Sequence, residues 1–306
     1  MMTNQHQSAS GARWDWLTPY LFLAPAFLLL IALRYLPAVQ AVYYSFTEWK
    51  GFFGSPEFVG FSNYSKLFHD QIFLASLRNM VVYTVVRTLL VLGMTFFAAE
   101  LIYSLRNPTM QFIWQVLLII PMIIPEIVVF LVWGFVFNTQ TGILNTLLTA
   151  IGLGSWAQPW LSQSSTALWA ITFIGFPFVA SIPFLIFTSS LQGMPGEVLE
   201  AAKLDGCNTL RRVLHIDLPL MRGPITLAVI LLILEGIRVL LPQLVLTGGG
   251  PGSSTESPAN YLYRTAFQYG DFGLATAVGM IMLLVGLVFS YLSLRIRYQE
   301  ATDVDI

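Results

Sequence analysis

Residues 127–196 contain no Asp, Glu, Lys or Arg. A soluble domain cannot keep so long a stretch free of formal charge, because its outer faces must meet water. Charged residues make up only 10% of the whole chain and hydrophobic residues 56%; an average soluble domain is about 25% charged. A chain of 306 residues has too little interior to hide that much apolar surface. These features exclude an ordinary cytosolic enzyme and mark an integral membrane protein.

The formal net charge of −1 provides no basic field, so no nucleic acid is expected as partner. The lone cysteine, Cys207, allows no intrachain disulfide and no Cys-based metal or redox motif. His6, His69 and His215 all fall outside the long apolar runs. An intramembrane serine protease needs a buried Ser–His pair and a zinc protease needs His-Glu-x-x-His, and neither pattern occurs. No catalytic or metal-binding residues are expected.

Six segments reach the roughly 20 mostly apolar residues of a spanning helix: 17–36, 79–103, 111–137, 166–190, 220–246 and 272–294. Strand alternation is absent, so the expected fold is an all-α membrane protein of six transmembrane helices. The first run is longer than a signal-peptide core and no small-residue cleavage site follows it closely, so it reads as a retained helix. Pro121, Pro125, Pro177 and Pro183 are potential kinks. With the N-terminus inside, eight Lys and Arg fall on inner segments and five on much longer outer loops. That bias places both termini in the cytoplasm. The expected divisions are a cytoplasmic arm at 1–16, a membrane domain at 17–297 and a tail at 298–306. Outer loops follow at 37–78, 138–165 and 247–271. The second holds a short apolar stretch at 143–151 that suits an interfacial helix. The third opens with Thr-Gly-Gly-Gly-Pro-Gly, expected to be flexible.

The inner segment 191–219 carries most of the information. Pro195 suits a helix start, Glu197 and Glu200 favour its positive end, and Gly206 suits a left-handed cap. Asn208 can cap a second helix that ends before Pro219. Val198, Leu199, Ala201, Ala202 and Leu204 give the first helix an apolar surface of small residues. Such a segment either lies stiffly on the bilayer or seats in a protein groove.

Glu200-Ala201-Ala202, then Gly206, then Ile216-x-Leu-Pro219 resembles the EAA motif of permease subunits of binding-protein-dependent ABC importers. Further segments resemble the sugar-type branch, which includes maltose and glycerol-phosphate permeases. They are Phe58-Val-Gly-Phe-Ser-Asn-Tyr64, Gly142-Ile-Leu-Asn145, Leu246-Thr-Gly-Gly-Gly-Pro251, Tyr261-Leu-Tyr-Arg-Thr-Ala-Phe267 and Phe272-Gly-x-Ala-x-Ala277. The resemblance runs from about residue 17 to 297. It implies that 191–219 is a coupling loop between helices 4 and 5 that docks on a cytoplasmic ATPase. Glu200, Ala201, Ala202, Asp205 and Gly206 are the coupling residues it indicates. Cys207 stands where the family usually has alanine. The chain has no P-loop, since its lysines, Lys50, Lys66 and Lys203, follow Trp49, Ser65 and Ala202 rather than glycine. ATP and Mg would therefore be used by partner subunits.

The implied partners are a second homologous permease, two ATPase subunits, an external solute-binding protein and membrane lipid. The implied location is the cell membrane of a prokaryote. The implied cargo is a sugar or related polyol. An ion-coupled secondary transporter is the alternative, but no internal repeat supports it.

Arg87, Glu126, Glu235 and Arg238 fall within spans, where ionisable groups face a cavity or a partner. Either they pair with one another and fasten helices, or they line a polar path. Glu100 lies nearer the inner end and is expected to snorkel. Arg238 is expected one turn from Glu235 on the same helix face. Comparison with maltose-type permeases points to Leu232, Glu235, Gly236 and Val239 on the fifth helix. It also points to Ile174, Gly175 and Phe178 on the fourth, the last as a ring that stacks on a sugar face.

Overall fold

The computed structural model describes residues 18–51 and 54–303. The arm at 1–16 and residues 304–306 of the tail lie outside them. Among the described residues, three helices are long and apolar enough to cross a membrane: Pro19–Ser45, Gln71–Tyr103 and Phe272–Ser293. Two bent pairs raise the count to five if each pair is one span. Among the described residues the six expected spans do not all form as single helices. The elements are almost all helical, with one small antiparallel ribbon in which Thr47 pairs with Phe58 and Glu48 with Glu57.

The first helix outruns its expected end at 36 and continues to Ser45. Pro37 does not stop it, because a widened π turn over Ile31–Tyr35 lets Leu36 N–H bond to Ile31 O. Leu21, Phe22, Leu28 and Leu33 on this helix are all exposed, an arrangement that only lipid or a partner chain can tolerate.

The second helix begins at Gln71, eight residues before the expected 79. Asp70 sets that start: its carboxylate accepts from Ile72 N at 2.7 Å and Phe73 N at 3.2 Å. Helix 71–103 is the central post of the molecule. Its C-terminal end packs Ala99 and Ile102 against Phe184, Phe187, Leu191, Met221 and Ala228.

The third, fourth and fifth expected spans are all interrupted. Helix Pro108–Ile123 turns by 93° into Glu126–Val136 at Pro125. The fourth consists of Ala167–Thr172 and Ser181–Gln192 with an irregular stretch between them. The fifth runs over Arg222–Ile237, stops, and resumes at Leu241–Leu246. Each interruption has a proline within it or in the first turn after it, which removes a donor and crowds the preceding turn. At the opposite end from segment 196–220, the helix Ile143–Ala150 forms as the sequence indicates.

The glycine-rich stretch after Leu246 is bonded in place, contrary to the flexible run expected. Thr255 Oγ1 donates to Gly250 O at 2.8 Å. Asn79 Nδ2 donates to Ser253 O at 2.9 Å and Glu256 O at 3.1 Å. The Glu256 carboxylate is fully buried and accepts from Arg264 Nη1 at 2.7 Å and Asn260 Nδ2 at 2.8 Å. Burial pushes its carboxyl above the ordinary value, opposed by Arg264 and Asn260.

Candidate functional site

The fourth and fifth helices break beside helix 71–103, and that helix supplies bonds that the break in the fourth lacks. In the stretch 173–180, Gly175 has φ +83° and Phe178 has φ +64°. Helical bonding is lost there, so carbonyls at membrane depth need other donors. Arg87 provides them: its Nη1 donates to Thr172 O at 3.2 Å and to Ile174 O. Two turns further along, Thr95 Oγ1 donates to Phe178 O at 3.2 Å and accepts from Ala180 N at 3.1 Å.

In the fifth helix Pro242 cannot donate to the carbonyl four residues back. The helix ends at Ile237, and Arg238 is its C-cap, one turn past Glu235. Arg238 N bonds to Glu235 O at 3.1 Å, and Val239 O accepts from Ser257 Oγ at 2.9 Å. Gly236 lets the two helices touch. A Cβ there would sit 2.5 Å from Thr84 Oγ1, closer than real side chains approach.

The charges expected at mid-span converge. Glu235 lies within electrostatic reach of Arg87, Glu126 and Arg238. None of the four forms an ion pair with another among the described residues. Arg87 instead holds backbone, while Glu126, Glu235 and Arg238 are exposed. Exposed charges within an apolar helical layer require a water-filled cavity or a partner. The other indicated path residues are placed differently. Ile174, Leu232 and Gly236 are buried, and Gly175 and Val239 are half-buried. Phe178 is 6% exposed, held by Phe173, Phe176, Val91 and Leu232. Its ring therefore forms wall, with no open face for a sugar in this conformation.

Thr84, Thr88 and Thr95 escaped the sequence reading. Thr84 and Thr88 hydroxyls are buried without a hydrogen-bond partner. The available signal was their spacing, which puts hydroxyls along one face of an otherwise apolar helix.

Segment 196–220 forms as two short helices. Gly196–Leu204 starts after Pro195, one position later than a proline-first helix would. Gly206, at φ +70°, closes it: Gly206 N bonds to Lys203 O and Cys207 N to Ala202 O. That is the paired bonding of a left-handed cap, which glycine adopts without strain. Asn208 Oδ1 accepts from Arg211 N at 2.8 Å and caps the second helix. That helix does not end before Pro219 but runs to Leu220, since a π turn over Val213–Asp217 makes room for the ring. Glu200, Ala201, Asp205 and Gly206 are exposed, whereas Ala202 faces the chain's own interior.

Glu100 does not snorkel. It is 6% exposed, and Arg212 Nη2 reaches its Oε2 at 3.3 Å. Arg212 Nε also donates to Asp217 Oδ2 at 2.8 Å, and its guanidinium lies over the Tyr103 ring at 5.4 Å. Asp217 is fully buried.

Residues 92–297 match the family described as "Binding-protein-dependent transport system inner membrane component". The chain belongs to that family. The matched region of this inner membrane component holds both helix breaks and segment 196–220. The Glu200-Ala201-Ala202 motif is typical of the family. One relative is the probable ABC transporter permease protein YurN of Bacillus subtilis. It is 33% identical over 90% of this chain and 94% of its own. Another is the diacetylchitobiose uptake system permease protein NgcF of Streptomyces coelicolor, 31% identical over 89% of this chain and 79% of its own. Among solved structures, a chain of a bacterial alginate ABC transporter superposes with a TM-score of 0.80. It is 18% identical and covers 92% of this chain and 95% of that one. It was crystallised with a periplasmic protein carrying an alginate pentasaccharide. This inner membrane component thus shares the fold of an ABC permease, and it is a multi-pass protein of the membrane.

Proposed function

We propose that the chain forms half of the translocation path of an ATP-driven importer for a sugar or related polyol. The names of its relatives support that cargo class, and exposed Glu126, Glu235 and Arg238 supply the polar lining such a path needs. The observation that carries the reading is helix Gly196–Leu204. Its Leu204 is 89% exposed, beside exposed Glu200 and Ala201. An apolar side chain projecting beside a carboxylate fits a groove on a protein with basic groups at its rim.

In this reading the chain passes the membrane six times, counting interrupted helices, with both termini and segment 196–220 in the cytoplasm. It pairs with a second, homologous permease. Two ATPase subunits bind ATP and Mg, and Glu200, Ala201, Asp205 and Gly206 meet them. An external solute-binding protein delivers the cargo to loops 46–70 and 247–271.

Purification of the native complex, with mass spectrometry of its subunits and of the ligand on the binding protein, tests composition and cargo together. Charge reversal at Glu200 should abolish ligand-stimulated ATP hydrolysis while insertion stays unchanged. Uptake driven by an ion gradient without ATP, or an active homodimer lacking a second permease, would overturn the reading.

A further inference from the structure

We propose that Arg212 is the positioning residue that makes the coupling segment and helix 71–103 move as one body, carrying displacement from Gly196–Leu204 to the broken fourth helix. The inference rests on the importer reading above. Arg212 stands on the second short helix, four residues past its Asn208 cap, and binds two carboxylates at once. Asp217 is on its own helix, whereas Glu100 is 112 residues away in sequence, on the central helix. A planar guanidinium gripping two buried carboxylates cannot follow one and release the other. Release would leave Glu100 buried and unpaired, a strongly disfavoured state.

The covalent route is less direct. Helix Thr209–Leu220 bends by 72° into Arg222–Ile237, so the backbone at Met221 is a corner rather than a rod. Helix 71–103 is uninterrupted through the same depth. Five residues from Glu100 it bonds the break through Thr95, and two turns further through Arg87. One rigid helix therefore holds Arg212 at one end and the carbonyls of Thr172, Ile174 and Phe178 at the other. Push on the coupling segment is delivered where the fourth helix is unwound. Among the described residues Glu100 Oε1 and Asp217 Oδ1 have no hydrogen-bond partner, so both carboxylates are held through their other oxygen by Arg212.

The test uses the complete transporter, with its binding protein, reconstituted in liposomes. R212K keeps the charge but loses the two-pronged grip. The triple variant E100Q/R212M/D217N removes all three charges, so that none is left buried and unpaired. Both should assemble with wild-type basal ATP hydrolysis. The triple variant should lose about tenfold in ligand-stimulated over basal hydrolysis, and in solute moved per ATP, a typical size for coupling between sites. R212K should fall between it and wild type. A merely structural cluster would change melting temperature but leave the ratio of transport to hydrolysis intact. Wild-type coupling in the triple variant overturns the proposal, and so does its failure to assemble, which would make the cluster a folding element. If the unaltered complex shows no ligand-stimulated hydrolysis, the importer reading falls and this inference falls with it.

Discussion

Replacing Arg87 by methionine separates a clamp from a transport group. In the structure the guanidinium donates to the carbonyls of Thr172 and Ile174, and both residues are buried. R87M preserves much of the side-chain length but leaves both carbonyls without a donor. Each buried orphan costs about 1–3 kcal/mol, so the pair should cost roughly 3 kcal/mol after partial relaxation. At about 2 °C per kcal/mol for a chain of this size, the melting temperature should fall by about 6 °C. R87K can reach one carbonyl at a time and should lose about half as much. E126Q is the control. Glu126 is exposed and its side chain makes no hydrogen bond among the described residues, so its replacement should stay within about 0.5 kcal/mol. The assay is thermal unfolding of the purified complex, with uptake measured in parallel. R87M melting like wild type while uptake is lost would refute the clamp and make Arg87 a group on the path.

Leu204→Ser should leave stability within about 0.5 kcal/mol, because the side chain touches solvent, yet reduce ligand-stimulated ATP hydrolysis severely. Gly206→Val forces a β-branched residue to φ +70° and should cost about 2 kcal/mol, read as earlier proteolysis of the coupling segment. Glu256→Gln tests a pH dependence. The folded carboxyl sits above its ordinary value, so on acidification the folded state takes up this proton before the unfolded state does. Between those two values wild-type stability therefore falls as pH rises, and the decline should be absent from the melting profile of E256Q. Parallel profiles for the two proteins would refute the assignment.

Pro125 and Pro177 were visible in the sequence as kinks, whereas Pro242 was not, and a kink and an unwound span differ in what satisfies the backbone. Pro25 and Pro37 sit within one continuous helix, while Pro125, Pro177 and Pro242 accompany breaks. No local rule separates these cases. A break at membrane depth survives only where another helix presents donors, as Arg87 and Thr95 do for 172–180. The Glu100 misreading has the same origin. Snorkelling is the local answer for a carboxylate near a helix end, and Arg212 supplied a non-local one.

Membrane residence, the approximate helix positions and the cap at Gly206 follow from the sequence by itself. They depend on apolar run length and on the conformational freedom of one residue, both local quantities. Glu200 and Ala201 stand exposed and Ala202 is buried, a division that the order Glu200-Ala201-Ala202 does not itself show. Which charges hold backbone and which stand open was decided by tertiary structure alone. Arg87 and Glu235 look equivalent in sequence, each an ion in an apolar helix. Packing set one guanidinium against bare carbonyls and left the neighbouring carboxylate exposed, because a charge at that depth takes whatever polar partner the fold brings within reach.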